Sequence, residues 1–241
     1  MKYEDWLAHF NPNHDKLGRF AKSNNIAYGK KTPVDKVKRD GYNKEKGKTL
    51  LDRFVSLFSD KQVKDVDKNS RMVRVGRSPE EIDTKIVKSV NPKRGTNPKY
   101  KTNCVNCVIA YALHSQFGIK AQARGSDVQN LMSVYSIFKN TGMKRFTGSI
   151  QECISLIPNN SSGIIAVSRN FLGRRSGHVI NYEKDKRGVT TLVDAQRNVI
   201  ESKDYSKIIP NSYMTDGYID LSNATLSRDY KQMASHNVKL K

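Results

Sequence analysis

The order of patterns along this chain constrains its fold most. Up to Pro158 the long apolar runs recur at helical spacing. After it, residues 163–167, 177–182, 189–193 and 199–200 form short β-branched runs separated by glycine and charged turns. Helices first and strands afterwards predict an α+β fold, with a helical half packed on a small antiparallel sheet.

Within the helical half, Ser78, Pro79, Glu80 and Glu81 read as an N-cap, a proline at the first position and an acidic first turn. Ile82, Ile86 and Val90 continue the stripe, so a helix is expected to end before Asn91-Pro92. The segment CVNCVIAYALHSQFG then predicts a helix starting at or just before Cys104, with Val108, Ala112 and Leu113 on its apolar face and Gly118 as its stop. Residues 127–139 and 149–157 are expected to be helical, the second closed by Pro158.

The first 48 residues read differently. Residues 5–10 suggest a short amphipathic turn, and residues 22–48 are rich in Lys, Asn and Gly with too few large apolar side chains to repay the entropy of ordering. The expected organisation is a basic, partly disordered arm over 1–48 and a helical docking segment over 49–90. A catalytic domain over 91–220 and a basic tail over 221–241 complete it. Residues 49–58 carry helical spacing in Leu50, Leu51, Phe54, Val55, Leu57 and Phe58.

Charge and cysteine usage narrow the function. Lys and Arg number 43 against 23 Asp and Glu, a formal charge of +20 spread through both halves of the chain. Such a balance fits non-specific contact with nucleic acid or acidic proteins, although no nucleic-acid motif is visible. No run of about 18 apolar residues exists, so no membrane partner is expected. The opening MKYEDWLAHF lacks the apolar stretch of a secretory signal, which points to the cytoplasm. Three cysteines do not make a disulfide framework.

Cysteine hydrolysis requires a thiolate, a base and a group that orients the base. Cys104 stands where a Pro/Gly/Asn loop enters a helix, and the positive helix end favours a thiolate there. The N–H groups of that helix start could also form part of an oxyanion hole. His178 lies in GHVINY at the opening of a strand, with Gly177 removing bulk beside the imidazole. Asp194 closes the next strand, where a hairpin would bring it to His178, and Gln196 follows two residues later. Plainer roles stand beside these: a cysteine at a helix start is most often a small hydrophobe, and Cys107 and Cys153 read as core. A zinc site would need Cys153 and His114 to complete the single CxxC at irregular spacing, so no metal is expected. His9, His14 and His236 read as solvated or structural.

The blocks TNCVNCVIAYALHSQFGIKAQA and GHVINYEKDKRGVTTLVDAQ resemble the papain-fold toxin family of protein-glutamine deamidases, including phage-encoded versions. The resemblance covers roughly residues 90–200 and implies a papain-like fold. It implies Cys104 as nucleophile, His178 as base and Asp194 as the orienting acid, with Asn103, Gln196 and Gly177 in supporting roles. It also implies a protein glutamine as substrate, and no cofactor. After the cysteine helix, HSQFGIKAQA keeps the family's glycine but not its arginine run, and residues 125–158 do not align with it. Separately, WLAHFNPNHDKLGRFAK resembles an NPNHDxxGRF motif of phage head-associated proteins. That implies capsid or head partners and a place in the bacterial host cytoplasm or the virion. Residues alone leave open a papain-like cysteine peptidase, an acyl transferase, and a non-enzymatic basic phage protein associated with structure or DNA.

Overall fold

The computed structural model describes residues 74–126, 131–171 and 174–241. The amphipathic turn over 5–10, the NPNHD motif, the arm over 22–48 and the helix over 49–58 lie outside them. The described chain is α+β, with five α-helices and ten strands.

The helix expected over 78–90 is divided. Ser78 and Glu81 close a capping box on a single 3-10 turn, Pro79–Glu81. Asp83 then accepts from the Lys85 N–H and caps a fresh helix, α1, Thr84–Val90. The second cap costs the pattern its continuity, because Asp favours the N-cap over the helix interior. Helix α2, Cys104–Phe117, starts and stops where the sequence indicates. Gly118 takes the left-handed conformation at φ 73, and Ile119 N–H returns to Leu113 C=O at 2.8 Å. Every residue of α2 except His114 is buried, so the apolar face read from the sequence is only part of its buried surface.

After β1 (Ala121–Ala123), the helix expected over 127–139 is α3, Met132–Ile137, within the described residues. Its last two expected residues form β2 (Phe138–Lys139) instead. Strand β3 (Gly142–Gly148) follows. Helix α4 (Ile150–Leu156) opens on a Ser149–Glu152 capping box. Strands β4 (Ser161–Phe171), β5 (Arg174–Lys184), β6 (Thr190–Asp194), β7 (Val199–Glu201) and β8 (Met214–Asp220) complete the main sheet. Its order is β3-β8-β4-β5-β6-β7, antiparallel throughout.

This sheet is covered on both sides, and the period of two sorts its residues. Ile164, Ala166, Val179, Val193 and Ile219 join the core around α1 and α2. Ile165, Val167, Ile180, Leu192 and Tyr218 join Ile150, Cys153 and Ile157 of the α4 layer. Burial on both faces explains why the strands read as continuous apolar runs rather than as alternation. At the β4–β8 contact, a Cβ on Gly163 would stand 2.0 Å from Ile219 C=O, so only glycine fits.

Two expected boundaries shift. Residues 74–90 belong to the same packed unit as the later chain. Gly76 N–H donates to Ser162 Oγ, and Arg77 forms a buried ion pair with Glu183 at 2.5 Å. The tail expected over 221–241 is not a loose end. Strand β9 (Thr225–Leu226) pairs with β2, helix α5 (Tyr230–Ala234) packs against α3, and β10 (Val238–Leu240) pairs with β1. Leu221, Ala224, Leu226, Ala234 and Val238 are the buried anchors that its polar average conceals.

Candidate active site

Strand β6 ends at Asp194, and β5 pairs with it only over residues 181–184. The earlier half of β5, including His178, therefore runs past the end of β6. The first turn of α2 reaches this opening, and Cys104 and His178 line one cleft of about 320 Å3. Cys104 is 8% exposed and the His178 side chain 16%, so both are screened from bulk water yet reachable from the cleft.

His178 Nε2 stands 2.8 Å from Asp194 Oδ2. With that nitrogen committed, Nδ1 is the one left for the Cys104 side chain, which lines the same cleft and favours the charged imidazole. Burial alone would lower the histidine pKa, but the Asp194 carboxylate and the contact with Cys104 outweigh it and raise it to about 10. Asp194 is 1% exposed, and burial would raise its pKa. The charges of His178 and Arg197, with their hydrogen bonds, instead hold it well below the usual carboxylate range.

Arg197 was not marked in the sequence. It sits in the turn after β6, where its Nε bonds to the same Asp194 oxygen as His178 and its backbone N–H donates to Asp194 Oδ1 at 3.1 Å. Its guanidinium also donates to Ile208 C=O. The signal available was a basic residue three positions after a strand-ending acid, the spacing that lets a tight turn fold back on its own carboxylate.

Asn103 is fully buried rather than turned to the cleft. Its Nδ2 donates to Arg124 C=O at 2.9 Å and to Asn91 Oδ1 at 3.2 Å. Its Oδ1 accepts from Cys107 Sγ at 3.4 Å and from Gln196 Nε2 at 3.5 Å. Asn91, which the sequence reading treated only as a helix end, also donates to Gln196 C=O at 3.0 Å. These amides tie the loop before Cys104 to the turn after Asp194. Gln196 and Gly177 both line the cleft, and Gly177 pairs with Ser168 on β4.

The other thiols are placed apart from this chemistry. Burial pushes the Cys107 thiol well up, with the Cys104 sulfur adding to it. Cys153 lies on the buried face of α4, where burial raises it to about 12. Among the described residues, no group of three His, Cys, Asp or Glu side chains is arranged to hold a metal ion.

No protein-family model matches the sequence, and no curated protein matches it significantly.

Proposed function

We propose that the chain is a cysteine hydrolase of papain-like architecture that deamidates glutamine side chains of a target protein. The observation that carries this reading is the His178–Asp194 pair, which shares with Cys104 one cleft beside the first turn of a buried helix. The family resemblance of the same three residues supports it.

The chemistry follows from the roles these groups can fill. Cys104 Sγ, its proton passed to His178 Nδ1, attacks the carboxamide carbon. The developing oxyanion takes hydrogen bonds from N–H groups of the first turn of α2 and from the Gln196 amide. His178 protonates the departing nitrogen as the C–N bond breaks, releasing ammonia and leaving a thioester on Cys104. Water then gives a proton to His178 and attacks the thioester. The C–S bond breaks, and the product is glutamate. Asp194, held by Arg197, keeps the imidazole oriented and stabilises its charge. No metal or organic cofactor enters these steps.

A peptide nitrogen can replace ammonia as the leaving group, which makes a cysteine peptidase the neighbouring reading. The formal charge of +20 favours a further property, contact with DNA or with head proteins of a phage particle. The N-terminal motif supports a phage origin, with action in the host cytoplasm or carriage in the virion.

The test is a bacterial extract incubated with wild type or with Cys104→Ser, followed by peptide mass spectrometry. Conversion of glutamine to glutamate at particular sites, with wild type alone, is the expected result. New peptide termini in its place would select the peptidase, and no change in either would overturn the hydrolase.

A further inference from the structure

The side chains around the proposed nucleophile are unequal in sign. Lys101, Arg169 and Arg197 line the cleft, and no Asp or Glu side chain lines it among the described residues. Arg197 is committed to Asp194 and to Ile208 C=O. Lys101 and Arg169 are not paired with any acidic side chain among the described residues. Lys101 belongs to the loop that leads into Cys104, and Arg169 lies on β4, directly across from Ser176 of β5. The two cations therefore flank the reacting centre from the helix side and from the sheet side.

Arg169 is also held in position. Its Nε donates to Ser176 Oγ at 3.1 Å, and its guanidinium carbon lies 5.2 Å from the centre of the Tyr213 ring. An exposed arginine fixed by a hydroxyl and an aromatic face keeps its terminal nitrogens for a partner and loses little rotamer freedom on binding. A planar carboxylate matches that fork in two hydrogen bonds.

We propose that this cleft selects a glutamine flanked by acidic residues, with Lys101 and Arg169 receiving carboxylates on either side of the carboxamide that meets Cys104. The inference rests on the hydrolase reading and specifies its substrate class as an acidic protein segment. Charge on both walls raises the local concentration of such a segment, and the effect weakens as salt screens it.

Two alkylating probes of similar size separate this claim from the one beneath it. Iodoacetate carries a carboxylate and iodoacetamide does not, so the ratio of their rates at Cys104 reports the cleft's preference for an anion. In Lys101→Gln and in Arg169→Gln that ratio is expected to fall by roughly fivefold, the equivalent of one solvent-screened charge contact of about 1 kcal/mol. The same charge loss at Lys186→Gln, outside the cleft lining, is expected to leave the ratio as in wild type. A Glu-Gln-Glu peptide is expected to protect Cys104 better than a Lys-Gln-Lys peptide. If Cys104 reacts selectively with iodoacetamide but the ratio is the same in all variants, the acidic-substrate inference fails and the hydrolase reading stands. If Cys104 reacts no faster than Cys107 and Cys153, both fail. Protection by an oligonucleotide but not by the acidic peptide would also overturn the inference, by assigning the two cations to phosphodiesters.

Discussion

His178 and Asp194 lie sixteen positions apart in the chain, and their side chains meet at 2.8 Å across the end of strand β6. The contact joins a histidine near the cleft to a carboxylate that water scarcely touches. A buried carboxylate is costly unless paired, and Asp194 is paired twice, with His178 and with Arg197. The proton on His178 is thereby retained far above the range of an ordinary histidine.

Asp194→Asn keeps the shape of this contact and removes its charge. The His178 pKa, which the Asp194 carboxylate helps raise to about 10, is then expected to fall, because burial alone depresses it. Proton-detected NMR of the imidazole against pH reads this directly, and an unchanged midpoint would show that Asp194 does not set it. Turnover is expected to fall by at least about a hundredfold, as the general acid loses its proton and its orientation.

The same pair makes stability depend on pH in both directions. Asp194 has a depressed folded-state pKa, so its contribution is present above the unfolded value near 4 and is lost as pH falls below that. His178 has a raised one, so its contribution is complete below about 6.5 and is lost as pH rises toward about 10. Urea midpoints are therefore expected to be highest between about pH 4 and 6.5 as far as this pair is concerned. Asp194→Asn is expected to flatten the profile on both flanks, and a profile of the same curvature would count against the coupling.

Asn103→Ala removes the amide that bonds Asn91, Gln196, Cys107 and Arg124 C=O together. Leaving such groups buried without partners costs about 1–3 kcal/mol each where water does not replace the bond. Denaturant unfolding should show a loss of at least this size. Because the loop before Cys104 is released from the turn after Asp194, kcat is expected to fall more than KM rises. A change in stability with kcat intact would confine Asn103 to folding.

Glu183→Gln tests the clamp that ties the residues before α1 to the sheet. Glu183 is fully buried, and it accepts from Arg77, from Ser162 Oγ and from Gln116 Nε2. Removing its charge leaves the buried Arg77 guanidinium unpaired, which is expected to cost about 3–5 kcal/mol by chemical denaturation. A loss below 1 kcal/mol, tested against that range, would mean that water or a shifted side chain replaces the carboxylate.

Much of the helical framework was legible because local signals agreed with tertiary demands. The Pro158 stop after residues 149–157, the Gly118 stop and the loop into Cys104 each carry their own local chemistry. Strand β8 carried none. Met214–Asp220 holds Asp216, Gly217 and Asp220 among few apolar residues, yet it lies between β3 and β4 in the main sheet. Its place depends on Tyr218 and Ile219 pointing to opposite cores and on the space at Gly163, which no local pattern announces. The juxtaposition of His178 with Asp194 followed from an expected hairpin. Arg197 and Asn91 went unmarked because a side chain's third partner is set by tertiary folding rather than by spacing.

The central claim is that Cys104 is an activated nucleophile served by His178. The direct measurement is intact-mass labelling by iodoacetamide from about pH 5 to about pH 9, with peptide mapping, on wild type, Cys104→Ser and His178→Ala. The account predicts that Cys104 labels first and already at the acidic end, ahead of the buried Cys107 and Cys153. It also predicts that His178→Ala abolishes this preference. Slow labelling of Cys104 that rises only near the ordinary thiol range, unaltered by His178→Ala, would contradict it.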